Sequence, residues 1–191
     1  MKLFSIFLGL FFLSFLGQAQ NQSRWSADFA VGTHGVGTPF HNAPFSQGGM
    51  MFTSELHKNI GGLEDKSYFK LGLNISFYTH DKMKNTFLVM PMISCRLGLG
   101  SMFIEPSLAL GYAGSVLQKT TFTSDGSGNY KSHKNKWLSG FSAQPRLRLG
   151  ARIHEHFDIY TQYAFQIEGL YNAMPVMPWQ SLQIGTTYRF R

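Results

Sequence analysis

The sequence contains a single cysteine, Cys95. One thiol cannot form an internal disulfide framework. Cys95 also lies far from the N-terminal region, so it cannot be a lipid-anchor cysteine at an N-terminal cleavage site. These absences exclude a disulfide-stabilised secreted domain and an N-terminally anchored lipoprotein.

Charged residues are also scarce. They make up 14% of the chain, against roughly 25% in soluble domains, whereas aromatic residues reach 15%. The mean hydropathy is −0.10, which is too low for a bundle of transmembrane helices. This combination favours a membrane barrel, whose strands alternate apolar and polar residues.

The first 19 residues are typical of a secretory signal peptide. Lys2 precedes an apolar run over residues 3–16, and Gly17-Gln18-Ala19 follows as a small-residue cleavage site. A transmembrane helix would need about 20 apolar residues. We expect residues 1–19 to be cleaved and residues 20–191 to form one outer-membrane β-barrel domain.

Acidic residues are fewer than basic ones, with 10 Asp and Glu against 17 Lys and Arg. A basic chain can bind nucleic acid, but an exported one meets anionic lipid headgroups instead. We therefore expect outer-membrane lipid, and no nucleic acid, among its partners.

The clearest pattern is a hairpin over residues 87–112 that turns at Gly100-Ser101. Apolar residues alternate with small or polar ones on both strands, as in the lipid-facing and lumen-facing sides of a membrane barrel. Glycine accepts the positive φ of a tight two-residue turn. This turn predicts that Leu99 lies opposite Met102 and that Arg96 lies opposite Glu105.

Similar alternation predicts six more strands, so the fold class is all-β, an eight-stranded antiparallel up-and-down transmembrane β-barrel. The predicted strands cover about residues 24–34, 48–57, 69–78, 87–99, 102–112, 137–152, 157–168 and 179–190. An even number puts both termini on the periplasmic side and the long polar segment, residues 118–136, outside. Pro91, Pro106 and Pro145 lie within strands, where we expect bulges or a strand-length mismatch, unless one strand is misassigned.

A barrel of eight strands has a lumen that side chains fill, so a diffusion pore is not expected. Inward charges of both signs should pair there, because unpaired buried charge is costly. The predicted lumen polar network comprises Asp28, Glu55, Lys70, Arg96, Glu105, Arg146, Arg148, Asp158 and Arg189.

These residues resemble the small outer-membrane β-barrel family of Gram-negative bacteria, PorT-like or OmpX-like in kind. The resemblance rests on the signal peptide, the strand over residues 103–112 and the terminal strand over residues 185–190. It implies that Tyr188 and Phe190 form the assembly signal read by the outer-membrane insertion machinery, although Arg191 follows Phe190. Such families include structural barrels, adhesins, secretion-system parts and lipid-modifying enzymes.

No catalytic motif stands out. Lipid A deacylase barrels use a His-x-Ser motif, and none of the seven histidines is followed by serine two residues later. His154 and His156 could chelate a metal, but they lie in a turn without a firm third ligand. We expect no enzyme activity, no metal and no cofactor.

The expected function is therefore structural, or a surface interaction in the outer membrane. Candidate partners are lipopolysaccharide, the insertion machinery and a membrane or surface protein. The possible lipid-phosphate contacts are Lys119, Lys131, Lys134 and Lys136. Alternatives are an outer-membrane lipid-modifying enzyme, a component of a secretion or assembly complex, and a soluble lipocalin-type barrel with its apolar face inside.

Overall fold

The structure is a computed structural model. It describes residues 25–36, 48–64, 67–80, 84–117, 121–124, 126–133, 137–169 and 177–190. The strands are β1 (Trp25–Val36), β2 (Gly49–Glu64), β3 (Ser67–His80), β4 (Lys84–Leu99), β5 (Met102–Leu117), β6 (Thr121–Ser124), β7 (Tyr130–His133), β8 (Trp137–Arg152), β9 (Phe157–Gly169) and β10 (Met177–Arg189). The predicted residues 1–19 lie outside the described part.

Eight of these strands close into a barrel in the order β1-β10-β9-β8-β5-β4-β3-β2. Every neighbouring pair is antiparallel, including β1 with β10, which closes the sheet. The predicted fold class is therefore confirmed. No helix in the described part of the chain is long and apolar enough to span a bilayer.

Side chains alternate between the outer wall and the lumen along most of each barrel strand. On β1, Phe29 is 58% exposed and its neighbour Asp28 is fully buried; on β10, Ile184 is 67% exposed and Gln183 only 1%. Large apolar side chains thus cover the outside, and polar ones fill the inside. This inverts the pattern of a water-soluble barrel and suits a lipid environment.

The β4–β5 hairpin has the predicted register. Leu99 lies opposite Met102 and Leu97 opposite Ile104. Gly100 has a φ of +69°, which an L-residue with a Cβ rarely adopts. The two-residue turn was therefore correctly predicted from Gly100-Ser101, because the turn alone sets the pairing of both strands.

The expectation of bulges at the three in-strand prolines was wrong. Val89 pairs with Tyr112 and Met92 with Ala109. The same number of residues therefore lies between these two pairs on β4, which contains Pro91, and on β5. The register likewise continues past Pro106 and Pro145, and both rings are exposed on the outer wall. A few ladder pairs are missing at each proline, but the register of the strands does not shift, because proline lacks only an N–H donor.

Strand β2 is longer than predicted. Residues 58–64, which the prediction left between the second and third strands, continue β2, and the chain passes into β3 only after Glu64. The register with β3 shifts between Asn59 and Gly61 and again between Gly62 and Glu64. These bulges let the glycine-containing segment stay paired.

The segment after β5 is not wholly a loop. Strands β6 and β7 pair with each other as a separate two-stranded sheet, from Thr121 opposite His133 to Ser124 opposite Tyr130. Gly126 and Gly128 between them have φ values of +81° and +87°. The predicted polar loop therefore contains a small hairpin of its own.

Candidate functional site

The lumen is the candidate site, because the charged side chains converge there. Of the nine residues predicted for the polar network, eight are at most 5% exposed. The ninth, Arg189, has a side chain that is 14% exposed at one end of the barrel. We call the end with the turns at Gly100 and between β8 and β9 the tight-turn end, and the other the loop end.

Arg148 lies at the centre of this network. Its Nη2 donates to Glu55 on β2 and its Nη1 to Asp28 on β1. The same Nη1 is 3.3 Å from Oε1 of Glu105 on β5. One fully buried guanidinium therefore connects acids from three strands, and Arg146 donates to the other oxygen of Glu55.

The network continues toward the tight-turn end through Glu105 and Asp158. Nζ of Lys70 is 2.7 Å from Oε2 of Glu105, and Nε of Arg96 is 2.7 Å from the same oxygen. Nη1 of Arg96 also reaches Asp158, which accepts from Nη2 of Arg189 at 2.9 Å. All nine predicted residues thus belong to one connected set. Within it, Arg146 is connected to Arg148 through Glu55.

His57 also belongs to this set, although it was absent from the predicted network. Its Nε2 lies 2.8 Å from Oε2 of Glu55 and 3.0 Å from Oδ2 of Asp28. Its inward position follows from alternation with Leu56, so the signal was present in the sequence. We name these ten residues the ion-pair network.

Asp28, Glu55 and His57 offer three metal-ligand atoms within 4.8 Å of one another. Both oxygens of Glu55, however, accept from arginine, and Asp28 accepts from Arg148. Ion pairing therefore accounts for this group. At the other candidate metal position, the rings of His154 and His156 are 6.0 Å apart, and Nδ1 of His156 lies 3.1 Å from the carbonyl oxygen of Arg189.

A second polar group closes the lumen at the loop end. Lys84 pairs with Glu168, which also accepts from the hydroxyl of Tyr78. The Lys84 ammonium lies 4.4 Å from the ring centroid of Trp179, and His34 stacks on Tyr78 at 3.8 Å. These five residues, the loop-end cluster, are each at most 4% exposed.

The loop-end cluster was not predicted as a site. Alternation along β10 and β1 puts Trp179 and His34 on the inward face, so the signal for both residues was present in the sequence. Lys84 was assigned to a loop, whereas β4 begins there.

An apolar layer connects the two polar groups across the lumen. Its members are Met51, Tyr78, Leu88, Met90, Met92, Ala109 and Ala113. Tyr78 is shared with the loop-end cluster, and Sδ of Met92 lies 2.8 Å from Nη2 of Arg146. Side chains therefore fill the described lumen from one polar group to the other.

Two of the remaining predicted site residues lie outside the lumen. Tyr188 and Phe190 are 38% and 41% exposed on the outer wall, with ring centroids 5.1 Å apart. Lys119, Lys134 and Lys136 lie outside the described residues. Lys131 is in β7, but its side chain is likewise not described.

An apolar outer wall around a lumen filled with ion pairs defines a transmembrane β-barrel of eight strands. No protein-family model matches this sequence, and no curated protein does.

Solved structures match the fold. Neisserial surface protein A is 9% identical with a TM-score of 0.56, covering 88% of this chain and 98% of its own. Ail of Yersinia pestis is 11% identical with a TM-score of 0.54, covering 88% and 99%. The outer membrane enzyme PagL is 12% identical with a TM-score of 0.52, covering 85% and 98%. The chain is similar to these small outer-membrane barrels in fold.

Proposed function

We propose that this protein is an integral outer-membrane barrel with a structural or surface-interaction role, and that it does not conduct solutes. The observation that carries the proposal is the filled lumen, in which Arg148 and Trp179 are both fully buried. Eight strands leave room for side chains only, so a packed lumen is a scaffold and not a channel.

Conductance in planar lipid bilayers tests this. We expect the wild-type protein to pass no steady ion current. The double variant Arg148→Ala, Trp179→Ala, which truncates the largest side chains of both polar groups, should conduct if it folds, as checked by its heat-dependent gel mobility. Steady wild-type current of porin size would contradict the proposal.

We further propose that residues 1–19 are removed on export and that the barrel resides in the outer membrane. The apolar outer wall supports this location, because such a surface is not stable in water. Carbonate and high salt should leave the protein in the outer-membrane fraction, and mass spectrometry should give a mature chain starting at Gln20. Release by carbonate would favour a soluble barrel.

We further propose that the loop end lies outside the cell. The even strand number and the short turns at the other end support this orientation. Trypsin added to intact cells should cleave within residues 118–136 and spare the eight barrel strands. Cleavage only after the outer membrane is opened would reverse the orientation.

For a surface partner, we propose lipopolysaccharide phosphates bound by Lys119, Lys131, Lys134 and Lys136. Four lysines within residues 118–136 support an anionic partner. Ail, a structural neighbour, was solved with the heparin analogue sucrose octasulfate, which is also polyanionic. Replacing all four lysines with glutamine should reduce lipopolysaccharide co-purification, whereas Lys58→Gln on the outer wall should not. Unchanged co-purification in the fourfold variant would contradict this contact.

We propose no catalytic role, although PagL is an enzyme with this fold. His34 and His57 point into the lumen. His80 ends β3 with its ring 5.6 Å from the ring of Trp179, and His154 and His156 lie at the β8–β9 turn. Among the histidines whose side chains are described, none therefore faces lipid from mid-strand. A change in lipid A or phospholipid composition that depends on this gene would contradict the proposal.

A further inference from the structure

Three arginines from three strands converge on one acid at the tight-turn end. Arg96 on β4 and Arg189 on β10 both donate to Asp158 on β9, one to each carboxylate oxygen. Arg152, at the end of β8, lies directly opposite Asp158 in the β8–β9 ladder. Directly opposed residues of an antiparallel pair have side chains on the same face, so Arg152 shares the lumen side of this end.

The charges of the lumen do not balance, and the imbalance lies at this end. With Arg152 included, the ion-pair network has six Lys and Arg side chains against four carboxylates, and His57 is counted as neutral. Two positive charges are therefore left over among the described residues. Arg152 is exposed and Arg189 partly so, whereas the other four cations are buried.

Several guanidinium donors here also lack acceptors. Nη2 of Arg96 and Nε of Arg189 are buried atoms without a hydrogen-bond partner, and Arg96 is only 2% exposed. Arg152 forms no ion pair with any residue in the described ranges. A buried donor without an acceptor is costly, so these atoms favour an acceptor supplied from outside the chain.

The described groups around these arginines do not neutralise their positive charge. The ring of Phe103 lies 3.8 Å and that of Tyr68 5.7 Å from Cζ of Arg96, and neither adds negative charge. Glu155, in the β8–β9 turn, is exposed and lies 3.2 Å from Nε2 of His156. Among the side chains that the structure describes at this end, Asp158 is thus the acid that binds Arg96 and Arg189 and lies opposite Arg152 in the ladder.

We propose that Arg96, Arg152 and Arg189 form a phosphate-binding site at the tight-turn end. Guanidinium groups bind phosphate oxygens through paired, charge-assisted hydrogen bonds. A phosphate monoester carries a charge of about −1.5 to −2 at neutral pH, which matches the two uncompensated positive charges. Its oxygens would accept from the unpartnered Arg96 and Arg189 donors, and exposed Arg152 would cover the side that faces solvent.

Isothermal titration of the full chain with inorganic phosphate tests the site. The protein is held in a glucoside detergent, which has no phosphate of its own, at low ionic strength. We expect saturable binding of one phosphate, weakened about three- to tenfold by Arg152→Gln and by Arg189→Gln. The phosphate affinity of Arg189→Lys should lie between those of the wild type and Arg189→Gln, because lysine keeps the charge but lacks the paired donors.

Two controls separate the site from general charge effects. Lys58→Gln removes a cation that lies over Trp25 on the outer wall at the same end, and should leave binding unchanged. Glu155→Gln removes an exposed acid of the turn and should not weaken binding. No saturable binding by the wild type, or equal weakening by Lys58→Gln, would overturn the proposal. Because Arg152 is exposed and unpaired, Arg152→Gln should fold normally, so its result remains interpretable even if Arg189→Gln does not fold.

The phosphate can come from solution or from a lipid headgroup, and nanodiscs distinguish these sources. Phosphatidic acid offers a phosphate monoester, whereas phosphatidylcholine does not. If added phosphate binds more weakly in nanodiscs that contain phosphatidic acid, the headgroup occupies the site. If it binds equally in both, the site takes phosphate from solution.

Discussion

Arg96 and Glu105 lie across the β4–β5 hairpin, with Nε of Arg96 2.7 Å from Oε2 of Glu105. The pair is not isolated. Arg96 also binds Asp158, and Glu105 also binds Lys70 and Arg148. Each residue thus connects parts of the barrel that the hairpin does not join, which changes what a mutation of the pair is expected to do.

Glu105→Gln should destabilise the barrel more than Arg96→Gln. Glu105 faces three cations, and removal of one partner from a buried ion pair costs about 3–5 kcal/mol. The double glutamine variant should cost less than the sum of the single variants, because the two residues contact each other. Urea unfolding in lipid vesicles, followed by tryptophan fluorescence, measures the free energy of unfolding of all three variants. A loss of stability in the double variant equal to the sum of the two single losses would contradict the direct coupling.

Reversing the pair should not restore stability. The hairpin alone predicts that Arg96→Glu, Glu105→Arg is tolerated better than either single change. In the barrel, however, a glutamate at 96 would face Asp158, and an arginine at 105 would face Lys70 and Arg148. We therefore expect the urea midpoint of the reversed variant to be no higher than that of Glu105→Arg alone. A reversed variant with the wild-type urea midpoint would show that the other partners contribute little to stability.

Lys84→Met should destabilise the loop end, because it leaves the Glu168 carboxylate buried without its cation. The expected cost is about 3 kcal/mol. The double variant Lys84→Met, Glu168→Gln removes both charges and should recover most of this loss. Heat-dependent gel mobility gives the unfolding temperature of each variant. A double variant that is less stable than Lys84→Met would contradict this pairing.

Gly185→Ala should destabilise the β9–β10 wall. A Cβ at this position would lie 2.5 Å from Cζ of Tyr160 and 2.6 Å from the carbonyl oxygen of Phe29. Overpacking of this kind costs about 1–3 kcal/mol. Gly61→Ala is the matched control, because a Cβ there meets nothing within 4 Å. Equal urea midpoints for the two variants would show that Tyr160 moves aside freely.

Pro106→Val should stabilise the barrel by about 1 kcal/mol. Pro106 pairs with Leu147 on β8, but its ladder pair with Cys95 on β4 is missing. Valine restores an N–H donor toward β4, where lipid offers no alternative. Pro178→Val serves as control, since Pro178 lies in an unbroken stretch of the ladder with β9. A loss of stability in Pro106→Val would mean that the ring itself is needed.

The sequence by itself determined the eight barrel strands, their inward and outward faces and the pairing of β4 with β5. These features are local, because alternation has a period of two residues and a tight turn sets the register of its own strands. Such reasoning also found the inward charges on β1, β2 and β3. It failed for the end of β2, which stays paired with β3 through two register shifts. It also failed for the prolines, where the ladder pairs before and after each ring keep the strands in register.

Apart from the Arg96–Glu105 pair, only the tertiary structure decided which charges meet. Arg148 and Asp28 are 120 residues apart and lie on strands that are not neighbours in the sheet, yet they are in contact across the lumen. Barrel closure likewise brings Lys84 beneath Trp179 and gathers three arginines around Asp158. Strand alternation shows that a side chain points inward, whereas its partner depends on the curvature of the closed sheet and on the lengths of side chains from the opposite wall.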